Sequence, residues 1–158
     1  MDASAVNTAD LYDERGEELV SMALQFQSLG GRTHFSGRVR TIRCFEDNAL
    51  VKSTLATPGD GAVLVVDGGG SLRTALMGDL IAASAVANGW AGVVINGAVR
   101  DRLAIAELSL GVKALGSNPR KSAKTGAGET EVELQIDGVA VRPGAMIWGD
   151  PDGILLER

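Results

Sequence analysis

The stretch GDLIAASAVANGWAGVVINGAVRD, Gly78 to Asp101, constrains this chain more than any other, because twenty residues separate Asp79 from Arg100 and an alternation of element types fills the gap. Leu80 to Asn88 is rich in Ala, with Leu80, Ile81 and Val86 as its larger apolar residues, and reads as a helix; Ala91 to Ile95 is an apolar run and reads as a buried strand. A helix of about ten residues descends roughly 15 Å. A strand of five or six residues climbs back roughly 16–20 Å. The chain returns to the level it left, so Asp79 at the helix start and Arg100-Asp101 beyond the strand end can meet at one rim of a sheet. Such a rim carries two carboxylates, a guanidinium and the free N–H groups of a helix start. A divalent metal and an anionic substrate suit it.

Ala62 to Val66 is a second fully apolar strand, ending in Asp67-Gly68-Gly69-Gly70. Strand 62–66, helix 79–88 and strand 91–95 form a crossover unit with parallel strands. Its glycine-containing loops, 68–70 and 97–98, are then expected at the carboxyl ends of adjacent strands, where open α/β sheets bind ligands. Residues 71–77 admit two readings. Leu72, Leu76 and Leu80 keep helical phase, which allows one long helix from Ser71; alternatively Gly78-Asp79 opens a fresh helix after an irregular link, the preferred reading.

Upstream, Thr8 can cap a short helix ended by Gly16. Leu24 to Leu29 reads as extended and Gly37 to Phe45 as a strand with one wet face. Asp47 caps a helix from Asn48 to about Leu55. Downstream, Asp101 to Leu108 is a short helix, Val112 to Leu115 a strand, and Gly116 to Gly128 a polar loop. Glu129 to Ile136 alternates as a strand. Asp137-Gly138 is a hairpin signal, with Val139 to Val141 returning. Ala145 to Trp148 and Ile154 to Leu156 complete an antiparallel C-terminal strand set.

The 158 residues suit one domain with a single core, spanning 1–158. Fifteen Lys and Arg against twenty Asp and Glu give a net charge of −5, which argues against a nucleic-acid partner. No apolar run is long enough to span a membrane. The N-terminus lacks the basic start and apolar segment of a secretory signal, and a lone cysteine, Cys44, cannot form an internal disulfide. These features read as a cytoplasmic protein.

Several segments resemble one family. They are Asp79-x20-Arg100-Asp101, Gly30-Gly31-Arg32, Cys44 to Asn48, Val65 to Ser71, Gly111 to Ala114, Asn118 to Ser122 and Asp150 to Gly153. The chain is similar over nearly its whole length to the 4-hydroxy-4-methyl-2-oxoglutarate aldolases and their relatives named after the regulator of ribonuclease activity A. The resemblance implies an α/β domain of the swivelling β/β/α type, phosphohistidine-domain-like, with a central parallel βαβ unit. It implies a divalent-metal-dependent lyase that forms pyruvate from 2-oxo acids and decarboxylates oxaloacetate. Asp101 would be the metal ligand for Mg²⁺ or Mn²⁺. Arg100 and Asp79 would be catalytic. Gly78, Asp79, Leu80, Ile81 and Arg100 would bind substrate. It further implies a homotrimer with sites at subunit contacts. Other relatives inhibit an endoribonuclease and look degraded at the positions of Asp79 and Asp101, which this chain keeps. An older methyltransferase label for the family finds no separate cofactor fingerprint here.

Blander readings stand beside these. Asp79 and Asp101 are both good helix caps, and Arg100 could make a surface ion pair. His34 near glycines reads as structural and Cys44 as a small core residue. Asp67 to Gly70 is either a plain turn or part of a cavity wall. Arg120, Lys121 and Lys124 read as a solvated basic loop. Asp150 and Asp152 serve turns or reach a neighbouring subunit. No lysine falls within the motif, which disfavours a Schiff-base route.

Overall fold

The computed structural model describes residues 6–158. The reading of the N-terminus as free of a leader rests partly on residues 1–5, which lie outside them. The strands are β1 (Leu19–Ser21), β2 (Gln27–Ser28), β3 (Phe35–Arg43), β4 (Val63–Asp67), β5 (Ala75–Met77), β6 (Gly92–Val99), β7 (Gly111–Ser117), β8 (Glu129–Thr130), β9 (Leu134–Ile136), β10 (Val139–Val141), β11 (Met146–Asp150) and β12 (Gly153–Glu157). The helices are α1 (Thr8–Arg15), α2 (Ala49–Leu55), α3 (Asp79–Ala87) and α4 (Arg102–Ala106).

One mixed sheet runs β1-β12-β11-β3-β4-β6-β7-β2, with β5 added to β6 and β8 to β3. Its centre, β3-β4-β6-β7, is parallel, so Arg43, Asp67, Val99 and Ser117 end on one rim. The flanking β11, β12, β1 and β2 pair antiparallel. This is the α/β arrangement expected, with the predicted parallel β4–α3–β6 unit at its middle and antiparallel strands in the C-terminal third.

The pleat sorts the branched residues to two faces. Leu64, Val66, Val93 and Ile95 join the core under α2, α3 and α4. Val63, Val65 and Val94 point the other way, into a core closed by Leu134, Ile136 and Val141 of the β9–β10 hairpin. Ala82 and Ala85 of α3 are fully buried, and side chains this small let the helix lie close to the sheet. One ring organises the opposite end. A Cβ at Gly92 or Gly149 would lie 2.6 Å from the Phe35 ring, and one at Gly111 closer still. Three strands therefore carry glycine where that ring is seated.

Several boundaries differ from the sequence reading. Asn7, rather than Thr8, caps α1 by accepting from Ala9 and Asp10 N–H; Thr8 instead bonds the Asp150 carboxylate through its N–H and hydroxyl, both at 2.7 Å. Residues 71–77 hold a short strand, β5, and α3 does start afresh at Asp79. Residues 97–98 are strand, not loop, because β6 runs on to Val99 alongside β5. Only residues 27–28 of the stretch 24–29 form a strand. The expected strand 129–136 is broken at Glu131, whose positive φ of 55° no extended strand accommodates. No helix of the described residues is long and apolar enough to cross a membrane.

Candidate active site

The β6 strand delivers Arg100 and Asp101 to the rim where α3 begins. The Arg100 N–H donates to the Met77 carbonyl at 3.0 Å, closing the chain across the start of α3. Asp101 then takes a left-handed conformation, φ 62°. Its carbonyl accepts from Ile105 and opens α4, but its side chain makes no capping bond there. Instead Oδ2 accepts the Asp79 N–H at 3.1 Å. The helix that Asp101 caps is α3, its neighbour in space. Gly78 makes this possible: a Cβ at that position would stand 2.8 Å from Asp101 Oδ2 and 3.4 Å from the Arg100 side chain.

These residues line a cavity of about 260 Å³, just below the usual range for small-molecule sites. Gly78, Asp79, Leu80 and Ile81 contribute from α3, and Arg100 and Asp101 from the β6 end. The N–H groups of Leu80 and Ile81, in the first turn, have no intrahelical acceptor and are available to an anion. Arg100 Nη1 reaches only the Pro119 carbonyl, at 3.4 Å, so most of its donor fork is unused. All five residues expected to touch substrate, and the expected metal ligand, therefore meet at one place.

Asp101 keeps Oδ1 open for a cation, and Asp79 stands beside it. Among the described residues no three His, Cys, Asp or Glu side chains cluster as a metal cage. The donor set at the cavity is the pair Asp79 and Asp101. It fits Mg²⁺ or Mn²⁺, since a Mg²⁺-type ion takes one or two carboxylates and retains waters and substrate oxygens.

Sequence reasoning missed the other wall. Asn48, which caps α2, Lys52 of α2, and Lys121 and Lys124 of the loop after β7 also line the cavity. The basic loop is exposed, as expected, but it is anchored. Ser122 is buried and donates to the Ala75 carbonyl at 2.7 Å, Ala75 N–H donates to Arg120, and Asn48 N–H to Ala123. The cap residue of α2 is Asn48 and not the expected Asp47; Asp47, one residue earlier, accepts from Ala49 N–H. It also accepts from Thr125 N–H at 2.7 Å, from the Thr125 hydroxyl and from Gly126 N–H. These bonds, the Thr125 hydroxyl's foremost, hold the Asp47 carboxyl down to about 2. No periodicity links residue 47 to 125, so nothing in the sequence announced this clamp.

The remaining candidates fall away from the cavity. Asp67 Oδ1 accepts from Gly69 N–H and Asn96 Nδ2, both at 3.0 Å, and shapes a turn beside a separate shallow depression. Cys44 is buried, and burial pushes its thiol up to about 12, the setting of an inert core residue. The His34 ring contacts Thr33 Oγ1 at the start of β3, at the opposite end of the sheet. Asp150 is buried in its own turn, bonded to Thr8 and to Asp152 N–H.

A family described as RraA-like, Aldolase/RraA, matches residues 8–156. The chain belongs to that family. It is similar to the structure of the RNA-processing inhibitor RraA from Thermus thermophilis, at 51% identity and a TM-score of 0.93, over 96% of this chain and 92% of that one. It is also similar to a structure from Geobacillus kaustophilus HTA426 described as S-adenosylmethionine: 2-dimethylmenaquinone methyltransferase. There the identity is 46% and the TM-score 0.94, over 96% and 94% of the two chains. Streptomyces coelicolor RraAS2, described as an unusual member of the RNase ES inhibitor RraA family, shares the fold at 23% identity, with a TM-score of 0.74 over 98% of this chain and 80% of that one.

Proposed function

We propose that this RraA-like chain is a divalent-metal-dependent carbon–carbon lyase. It would cleave 4-hydroxy-4-methyl-2-oxoglutarate-type 2-oxo acids to pyruvate and decarboxylate oxaloacetate. The observation that carries the reading is the convergence of Asp79, Arg100 and Asp101 on one cavity at the start of α3. Asp101 would hold the cation, which supplies Lewis-acid polarisation of the substrate's keto oxygen when bound.

The protein's own groups do the rest. The first turn of α3 receives the substrate carboxylate on the N–H groups of Leu80 and Ile81, with the helix dipole in support. Arg100 turns its fork toward the oxygen on which negative charge grows as the C3–C4 bond breaks. In the retro-aldol direction Asp79 holds a water that removes the C4 hydroxyl proton. The C3–C4 electron pair passes into the pyruvate enolate, which is then protonated at C3. Decarboxylation of oxaloacetate sends the same electron pair the same way and releases CO₂, with no hydroxyl to deprotonate. The three cavity lysines are exposed to water rather than sheltered in an apolar pocket, the setting that activates a Schiff-base lysine. The reading includes the homotrimer that the family resemblance implies, with neighbours completing the site.

The test is pyruvate release from a panel of 2-oxo acids, with Mg²⁺ and with chelator. Chelator-sensitive release supports the lyase; none from any member of the panel overturns it. A second reading, a regulator that binds and inhibits an endoribonuclease, is favoured by the 51% identity to a structure described as an RNA-processing inhibitor. Titrating the chain into a purified endoribonuclease assay decides it: dose-dependent inhibition supports the regulator, and constant activity excludes it for that nuclease.

A further inference from the structure

Arg100 lines the same cavity as Asp79 and Asp101 but forms an ion pair with neither; the ion pairs among the described residues lie elsewhere. The separation is small. Asp101 Oδ2 stands 2.8 Å, and Arg100 Nε 3.4 Å, from the point a Gly78 Cβ would occupy. Opposite charges this near attract, and side-chain rotation could join them. Joined, they would consume the carboxylate assigned to the cation and the donor fork assigned to the substrate.

Among the described residues the one hydrogen bond of the Arg100 side chain goes to Pro119, whose carbonyl accepts from Nη1 at 3.4 Å. Pro119 lies outside the cavity, in an adjoining depression that shares Asp79, Arg100 and Asp101 with it. The bond is long, so its hold depends on a carbonyl that does not move. Asn118 supplies that. Its Oδ1 accepts the Arg120 N–H at 2.9 Å, closing a turn around Pro119, and its Nδ2 donates to the Leu72 carbonyl at 2.9 Å. The proline ring fixes φ at the centre of the turn. On either side the backbone is tied as well: Asn118 N–H donates to the Val99 carbonyl at 3.0 Å, and the Arg120 carbonyl accepts the Ala75 N–H at 2.8 Å. The Pro119 carbonyl is therefore framed by β5, by β6 and by the segment between β4 and β5.

We propose that Asn118 is a positioning residue. By fixing the Pro119 carbonyl, it holds the Arg100 guanidinium off Asp79 and Asp101 and keeps the rest of its fork free for substrate. Resting on the lyase reading, this gives the Asn118-Pro119 turn a part in the rate without contact with the reacting atoms.

The first measurement does not need turnover: nitrogen relaxation of the Arg100 Nε–H resonance, assigned by its loss in Arg100→Lys. In the wild type the order parameter should lie above about 0.6, the limit of flexible groups, and in Asn118→Ala below it. The two backbone bonds remain in that variant, so a cooperative thermal melt is expected. An Arg100 that stays ordered without the Asn118 amide, or that is mobile already in the wild type, overturns the proposal. Pyruvate release then reads whether Asn118 acts through Arg100. Asn118→Ala should lower kcat about tenfold at unchanged KM, less than the 10²-fold cost of a misplacement of about 1 Å. In an Arg100→Ala background it should cost nothing further. An equal loss in both backgrounds marks a merely structural residue and overturns the proposal. Control of Arg100 order by Asn118 in a protein that releases no pyruvate upholds the positioning and removes the lyase. Pyruvate release with an Arg100 indifferent to Asn118 does the reverse.

Discussion

The Asp79 N–H donates to Oδ2 of Asp101 at 3.1 Å, tying the first turn of α3 to the residue that opens α4. This bond orients the carboxylate proposed to hold the cation, and Gly78 leaves the space for it. Gly78 has φ −118°, a value any residue adopts, so a substitution there probes space and not backbone strain. Gly78→Ala is expected to displace Asp101 and Arg100 while leaving the fold intact. Turnover should fall on the order of 10²-fold, the cost of a misplacement of about 1 Å. Steady-state kinetics beside a thermal melt checks this; unchanged turnover removes the contact from the mechanism.

Arg100 and Asp101 separate two contributions. Arg100→Ala should cost about 10²–10³ in rate, the scale for one preorganised donor. Arg100→Lys should recover little of it, because an ammonium cannot present two parallel N–H groups. Asp101→Ala should abolish the Mg²⁺-dependent part of pyruvate release altogether. The measurement is release from oxaloacetate across a Mg²⁺ titration, and a variant that still responds to Mg²⁺ places the cation elsewhere.

Three lysines at the cavity make the choice between enolate and Schiff-base chemistry an experimental question. Because they are exposed, incubation with pyruvate and borohydride is expected to leave activity and intact mass unchanged. A mass increase matching a reduced pyruvate adduct at Lys52, Lys121 or Lys124 would replace the proposed mechanism.

Asp47 joins four donors from two segments, and its removal orphans them within a site where it is only 4% exposed. Asp47→Ala is expected to cost about 1–3 kcal/mol, a fall in Tm of roughly 2–12 °C for a chain of this size. The pH dependence has a definite sign. The folded carboxyl sits at about 2, below its unfolded value of about 3.9. Its contribution is therefore complete above about pH 4 and is lost as the pH falls toward 2. Denaturant melts between pH 5 and pH 2.5 should show the wild type losing more stability than Asp47→Asn, which keeps an acceptor but no titrating charge.

What the sequence disclosed follows the range of the forces involved. The β4–α3–β6 unit was legible because its apolar runs are consecutive and its turn-backs are short. Asp79, Arg100 and Asp101 were legible because rise per residue alone returns them to one rim. The break at Glu131 and the strand at 75–77 were not, since each is set by partners distant in the chain: β5 pairs with Ala98 and Val99, and the segment before Leu134 crosses back to bond β3. The lysines were discounted for the same reason. Their placement depends on Asp47 meeting Thr125 across 78 residues, a contact between two polar side chains that leaves no periodic trace.

Phe35 provides the test of the far end of the sheet. Its ring occupies a seat formed by Gly92 and Gly111, which face one another on β6 and β7, and by Gly149, its own partner on β11. The three glycines have no side chains with which to refill that seat, so a truncated residue leaves a void there. Phe35→Ala is expected at the costly end of the usual range, about 3–5 kcal/mol, or roughly 6–20 °C in Tm. Gly111→Ala should also destabilise, because the added methyl meets the ring face with no alternative space. Both substitutions lie at the amino ends of the parallel strands, opposite the cavity. The folded fraction should therefore keep its wild-type rate of pyruvate release, measured well below the lowered Tm. A change in that rate without loss of stability would show that the two ends of the sheet are coupled.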